Sequence, residues 1–281
     1  MLSENAKALI SGASAGAIGF TTTLPIDYIK QHIQTNKTMS QIFRDVQTNG
    51  SKILFRGGLI GLSSIAPQMA IKYFAFHNFN SLMDDALHLK PISAFGAGLV
   101  DGAFLGPILA MQAFRQMNVN NKKIDYLNIV KNNFGSLMVP MALRNATYTS
   151  GILGGYFIVK KYTHGDKQTS FLDNFLIGSV LNIPATIFCS PFDVLRAKHT
   201  HHLLTYYSNM PYNYERHKTL GEVWKEILMK DGLRGLYRGY SSLYINFAIR
   251  FPLTLALQFE ILKLQKIPML FFLQEKQMFW Q

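Results

Sequence analysis

Long apolar stretches alternate along the chain with short polar blocks in which the charges gather. Six windows, 8–26, 57–83, 91–114, 132–159, 174–192 and 239–259, are nearly free of Asp, Glu, Lys and Arg, and each is at least 19 residues long. A helix rises about 1.5 Å per residue, so about 20 residues cross the hydrocarbon core of a bilayer. All six windows therefore predict membrane-spanning helices. Several are rich in Gly, Ser, Thr and Pro, the composition expected where one helix face lines a wet cavity. The tail, 267–281, is apolar and aromatic but too short for a seventh span, and is expected to lie on the membrane surface.

Charge distribution orients these spans. Segments 31–56, 115–131 and 196–238 hold 16 Lys and Arg against six Asp and Glu, whereas the alternate connections 84–90 and 160–173 hold four of each. Three long connections thus share one positively charged side, as the positive-inside rule describes. The net charge of +12 follows from that asymmetry. It does not come from a soluble basic face interleaved with stacking aromatics, so no nucleic-acid partner is expected. Charged residues are only 16% of the chain and mean hydropathy is +0.10, mild for a membrane bundle and consistent with a polar interior.

Cys189 is the lone cysteine, which excludes a disulfide framework or thiolate metal site. His199, His201 and His202 have no nearby cysteine or carboxylate to complete a coordination sphere and read as loop histidines near the headgroup surface. No metal or cofactor is expected. The N-terminus shows neither a secretory signal nor an Arg-rich transit pattern, so an organellar address is expected to be internal. There is no Gly-rich phosphate loop, His-Glu-x-x-His motif or nucleophile elbow, and no enzyme is predicted.

Self-similarity organises the chain further. Pro25-Ile26-Asp27-Tyr28-Ile29-Lys30 and Pro191-Phe192-Asp193-Val194-Leu195-Arg196 both read Pro-x-Asp-x-x-basic. Downstream stand Gly50 to Phe55-Arg56-Gly57 and Gly232 to Tyr237-Arg238-Gly239. Midway lies Pro107, 82 residues after Pro25 and 84 before Pro191. Three two-helix units follow, 1–90, 91–168 and 169–281. The connection after the fifth window is long, 41 residues from Pro191 to Gly232 against 25 from Pro25 to Gly50, and its cluster of Tyr206, Tyr207, Tyr212 and Tyr214 has no functional reading.

These motifs resemble the signature of the mitochondrial carriers, P-x-[DE]-x-x-[KR]-x-[KR] followed by [DE]-G-x-x-x-x-aromatic-[KR]-G. The third unit matches in full, the first has His32 and Asn49 as near misses, and the second is degenerate, with Leu109 and Gln112 at the acidic and basic positions. The resemblance covers the whole chain. It implies an all-α membrane protein with six transmembrane helices, as three tandem hairpins around a pseudo-threefold axis, in the mitochondrial inner membrane. Prolines 25, 107 and 191 would kink the odd helices to close the cavity on the matrix side. In the matrix gate Lys30 would pair with Asp193, while Asp27 would face Gln112 and Arg196 would face Leu109. Gln34 and Gln116 would brace this gate. On the opposite side the family's [FY]-[DE]-x-x-[KR] motif is complete in Phe259-Glu260-Ile261-Leu262-Lys263, and Lys160 would meet Glu260. Taken singly, each gate charge could instead be an interfacial side chain reaching for water.

Four windows carry one mid-span ionisable residue each, Lys72, Asp101, Arg144 and Arg250, and such residues face a cavity or a partner. Three are basic, which favours an anionic solute. By family spacing the substrate contacts fall on Ser64, Arg144-Asn145 and Asn246, with Arg250 one turn beyond and Lys72 also within the cavity. Arg144 and Asp101 could alternatively neutralise one another. The runs Gly12 to Gly19 and Gly96 to Gly98 suit close helix packing.

The reading is an alternating-access exchanger of a small anion, nucleotide or carboxylate, working as a monomer in a bilayer that includes cardiolipin. A carrier-derived scaffold that no longer transports, or a proton leak pathway, are the alternatives, the former suggested by the degenerate second unit.

Overall fold

The structure, a computed structural model, describes residues 4–84, 86–119, 122–165, 170–208 and 217–264. Among these residues it contains helices and turns and no strand. The elements are α1 (Glu4–Gln34), α2 (Met39–Asn49), α3 (Gly58–Leu82), α4 (Lys90–Met117), α5 (Tyr126–Asn132), α6 (Phe134–Thr149), α7 (Gly155–His164), α8 (Phe171–Ser208), α9 (Leu220–Gly235) and α10 (Tyr240–Leu264). A π-helical turn, Ser150–Gly154, joins α6 to α7 into one rod. Six long rods result, with α2, α5 and α9 as short helices after the first, third and fifth.

The rods close into a ring. α1 packs on α3 and α10, α3 on α4, α4 on α6, α6 on α8 and α8 on α10, while α1, α4 and α8 also touch one another. This is the all-α six-helix architecture of the carrier fold. Apolar side chains such as Leu59, Phe74, Phe104, Val180 and Phe188 point outward and are exposed, whereas Lys30, Asp101 and Asp193 are buried. Apolar outside and charged inside is what a lipid solvent demands. Segments 51–82, 87–117 and 172–208 are long and apolar enough to cross a membrane by length and composition. The other rods carry more polar residues, among them Thr21, Thr22 and Thr23 on α1, Arg144 and Asn145 on α6, and Asn246 and Arg250 on α10.

Each short helix is started by a side-chain cap. Thr38 and Gln41 form a capping box on α2, Asp125 accepts from the amide of Asn128 on α5, and Thr219 and Glu222 form a second box on α9. Caps of this kind satisfy orphaned amides that would otherwise fray the first turn. Each then packs against the end of the preceding rod: Ile42 on Tyr28, Ile129 and Val130 on Phe114, Val223 and Ile227 on Val194 and Leu195. The two aromatic-Arg-Gly blocks also share a conformation. Gly57 and Gly239 both have φ 74°, a left-handed turn that a side chain would strain and that admits α3 and α10 into the ring.

The connection after the fifth rod departs from the sequence reading. α8 does not end with the fifth apolar window but runs on to Ser208, where Leu203 and Leu204 pack against α5 and Asn133 donates to the Tyr207 hydroxyl at 3.2 Å. His199, His201 and His202 are therefore helical, not loop residues. His199 is fully buried with Nε2 3.0 Å from Ser136 Oγ, and His202 Nε2 accepts from the Lys218 amide at 3.0 Å. Tyr212 and Tyr214 and the tail 267–281 lie outside the described residues, as do the side chains of Glu260 and Lys263.

Candidate functional site

Where α1, α4 and α8 meet, they close the ring with a buried polar cluster. α1 supplies Thr23, Asp27, Lys30, Gln31 and Gln34, which recur at helical spacing on one face. Lys30 Nζ lies 3.3 Å from Asp193 Oδ2 and 3.1 Å from Asp27 Oδ1. Gln34 donates to Asp193 at 2.8 Å, so its amide ties α1 to α8 beside the ion pair. From α4, Gln112 and Gln116 donate to Asp27 at 3.3 and 3.4 Å, and Gln31 donates to Gln116. The degenerate unit thus contributes amides where the signature has a base. Neutral donors hold a carboxylate with less energy than a cation does, so this edge of the closure is the weaker one.

Arg196 does not reach Leu109 on α4. It turns back onto Asp193 of its own helix, 3.3 Å from Oδ1, because Leu109 offers nothing to bond. The vacant role is taken from an unexpected direction, by Arg144 on α6. Its Nε lies 3.1 Å from Asp193 Oδ1, its guanidinium sits 5.0 Å over the Phe247 ring and its Nη1 donates to Asn145 at 2.8 Å. A residue read as a substrate contact is thus also a partner of the closure.

From Arg144 the network continues away from the closed end. Asn145 donates to Asp101 Oδ2 at 3.0 Å, and the same oxygen takes Lys72 Nζ at 3.4 Å and Gln68 at 3.4 Å. Lys72 is accordingly paired, and the alternative Arg144–Asp101 neutralisation gives way to two separate pairs bridged by Asn145. Gly98 makes this bridge possible: a Cβ there would overlap the backbone of Asn145 and Ala146, so only glycine lets α4 approach α6 this closely. Opposite, Arg250 Nε donates to Thr23 Oγ1 at 2.7 Å with its guanidinium 5.0 Å over Phe20, and Asn246 donates to the Thr23 carbonyl at 3.3 Å. Arg250 Nη2 and Asn246 Oδ1 are buried with no hydrogen-bond partner among the described residues. Ser64 is buried and its hydroxyl donates to the Gly61 carbonyl of its own helix at 2.7 Å, turned to its own backbone and not to this group among the described residues. Lys160, at the other end of the α6–α7 rod, is buried, while its expected partner Glu260 has no described side chain.

The interior therefore assembles Lys30, Lys72, Arg144, Arg196 and Arg250 against Asp27, Asp101 and Asp193. Among the described residues cations exceed anions here, and the Arg250 Nη2 group is buried with no hydrogen-bond partner. An enclosed polar cluster of this sign favours an anion, which would supply the missing acceptor. Gln31, Gln68, Thr23 and Phe247 were not singled out from sequence. Gln31 and Gln68 stand one turn from Asp27 and Lys72 respectively, a spacing that could have flagged them.

The profile of the mitochondrial carrier protein family matches residues 3–86 and 167–258, well over half of the chain. The chain belongs to the mitochondrial carrier family. Carriers of this family are transporters, not enzymes. Its two matched segments leave out 87–166, the stretch that holds Leu109 and Gln112. Among curated carriers, the mitochondrial 2-oxodicarboxylate carrier of Bos taurus is 23% identical over 268 residues, 85% of this chain and 87% of the relative. Mitochondrial tricarboxylate transporter 1 of Mycosarcoma maydis is 23% identical over 225 residues, 68% of this chain and 75% of the relative. The adenine nucleotide transporter BT1 of Arabidopsis thaliana is 29% identical over 104 residues, 36% of this chain and 26% of the relative.

Proposed function

We propose that this carrier exchanges a small anionic metabolite, a carboxylate by preference, across the mitochondrial inner membrane by alternating access. The reading takes the chain as three units, 1–90, 91–168 and 169–281, acting as one multi-pass monomer in a cardiolipin-containing bilayer. The observation that carries it is the unspent Arg250 guanidinium N–H beside Arg144, above a closure built from Asp27, Lys30 and Asp193. Arginine forks match carboxylate geometry in two parallel hydrogen bonds. Two relatives that align over two thirds or more of the chain are named for carboxylates, whereas the nucleotide transporter aligns over 36% of it, which favours carboxylates over nucleotides.

In this reading the end carrying α2, α5 and α9 faces the matrix, and the closure there is the matrix gate. A carboxylate arriving between Arg144, Arg250 and Asn246 competes with Asp193 for Arg144. Asp193 then keeps Lys30, Arg196 and Gln34, but α6 is no longer tied to α8 through it. An edge made of amides on α4 separates more easily than one made of ion pairs. Alternating access requires the two closed forms to differ by only a few kcal/mol, and binding of the solute supplies the difference.

The test is a panel of labelled 2-oxoglutarate, citrate and ADP offered to reconstituted protein in liposomes preloaded with the same solutes. Uptake of a carboxylate that depends on the internal counter-solute supports the reading. The degenerate second unit favours a second reading, a scaffold without transport, and absence of uptake across the panel would establish that one instead.

A further inference from the structure

The three closing rods do not stop at the same level. α1 ends nine residues after Pro25 and α4 ten after Pro107, whereas α8 runs on for seventeen after Pro191, about two turns further. Past the buried cluster this overrun stands as a wall against the turn that follows α1 and the loop that follows α4, and together they enclose a cavity of about 320 Å³. Lys37 and Asp45 line it from the α1 side, Asn118 and Lys122 from the α4 side, and His201 and Thr205 from α8. The chain's own hydrogen bonds hold these walls in place. Asn118 donates to the Lys122 carbonyl at 2.8 Å and accepts from its amide at 3.1 Å, while Arg56 donates to the carbonyls of Asn118 and Val119, each at 2.8 Å.

Charge in this cavity is not balanced. Lys37 spends one N–H on Asp45 at 2.8 Å and keeps the others. Lys122 is bonded through its backbone, and its ammonium has no acidic partner among the described residues. His201 adds an imidazole N–H to the same lining. The cavity on the other face of the overrun, about 210 Å³, is the contrast: its lysines, Lys198, Lys218 and Lys230, are all held by Asp231 or Glu226. The unpaired cation therefore falls in the first cavity, at the end where the connections carry 16 Lys and Arg against six Asp and Glu and where the field of the whole end gathers anions.

Resting on the transport reading above, we propose that this cavity binds a small multivalent oxyanion, a phosphate or a di- or tricarboxylate, and that the bound anion brakes exchange by holding this end shut. Lys37, Lys122 and His201 donate to it from the continuations of three different rods, and a multivalent oxyanion has acceptors enough for all of them. Opening moves α1, α4 and α8 apart, so the anion loses some of these donors in the open form and binds the closed form more tightly. A ligand shifts a two-state equilibrium by its difference in affinity for the two states and by nothing else. At ten times its dissociation constant, an anion that binds the closed form alone raises that form over the open one by about elevenfold. The solute site among Arg144, Arg250 and Asn246 lies on the other side of the closure, so solute and brake are held together and extra solute does not displace the brake.

The experiment reads the whole chain in two ways: thermal unfolding in detergent, which needs no transport, and exchange in liposomes of whichever of 2-oxoglutarate, citrate and ADP moves. Inorganic phosphate is the probe, present on both sides of the membrane, with chloride at equal ionic strength as the control for screening. In the wild type phosphate should raise the unfolding midpoint and lower the maximal exchange rate severalfold at saturating solute. Lys122→Glu should lose both effects while keeping the phosphate-free rate, and Lys122→Arg should retain both. Unlabelled 2-oxoglutarate in the same unfolding assay separates the two sources of the anion: a shift that Lys122→Glu removes, with either ion, supports the site and names its occupant. No Lys122-dependent shift with either ion would overturn the proposal, and exchange in the same preparation would leave the transport reading intact. A Lys122-dependent shift from an ion that leaves the maximal rate unchanged would overturn the brake. Exchange of none of the three solutes would remove the transport reading and the brake with it, while the unfolding assay still decides the site.

Discussion

The two edges of the closed end teach different lessons. Between α1 and α8 the contact is ionic: Lys30 meets Asp193, Gln34 reinforces it, and Arg196 and Arg144 crowd the same carboxylate. Between α1 and α4 it is made of amides, with Gln112 and Gln116 on Asp27. The first edge holds three cations around one buried carboxylate and is rigidly specified. The second trades charge for neutral donors and gives up binding energy in return for a lower cost of opening. A gate need not be equally strong on each side, and the weaker edge is the natural place for it to part.

The largest effect is expected from striking the strong edge. Asp193→Asn leaves Lys30, Arg144 and Arg196 without their common acceptor, and breaking a buried ion pair from one side costs roughly 3–5 kcal/mol. Thermal unfolding in detergent should move down sharply, and an unchanged midpoint would show that Asp193 is not the hub. Next comes the tie between the strong edge and α6. A double-mutant cycle of Arg144→Gln with Asp193→Asn should give a coupling of about 1–3 kcal/mol in the same unfolding measurement. Additive losses would mean that the 3.1 Å contact contributes nothing.

Strengthening the weak edge is the complementary move. Gln112→Lys would place a cation opposite Asp27, stabilising the closed form by about 1 kcal/mol or more and slowing exchange severalfold. Faster exchange would contradict the idea that this edge opens first. The smallest change belongs to α9, outside the six long rods. Hydrogen bonds from Lys218 and Lys230 hold the Glu226 carboxyl at about 2, below its ordinary value of 4.5, so its contribution to stability is present above pH 4.5 and lost as pH falls through about 2. The group is partly exposed, with 33% of its side chain accessible, and Glu226→Gln should alter stability at pH 7 by less than about 1 kcal/mol. A larger loss would move the weight of this end from the rods to the short helices.

What the sequence made legible follows from period and repetition. Charge-poor windows foretold the six rods, and the pairing of Lys30 with Asp193 was what the resemblance to the carriers implied, carried by the repeated Pro-x-Asp-x-x-basic motif. The Arg144 contact with Asp193 was not legible, because α6 carries no repeated motif and the reach of a guanidinium from the fourth rod to the fifth depends on how closely α6 and α8 pack. Lys72 was read as free for solute because nothing in spacing alone reveals that it and Asp101 share a level. The continuation of α8 through His199 to Ser208 could have been read. Leu203, Leu204 and Tyr207 recur at helical spacing, but the histidines and tyrosines around them suggested a loop.

Counter-exchange is the measurement that bears most directly on the whole account. Labelled carboxylate should enter liposomes holding unlabelled carboxylate, should stay outside empty ones, and should fail to enter either with Arg144→Ala, since that one guanidinium serves both the solute and the gate. Equal entry into loaded and empty liposomes, or undiminished exchange by Arg144→Ala, would contradict it.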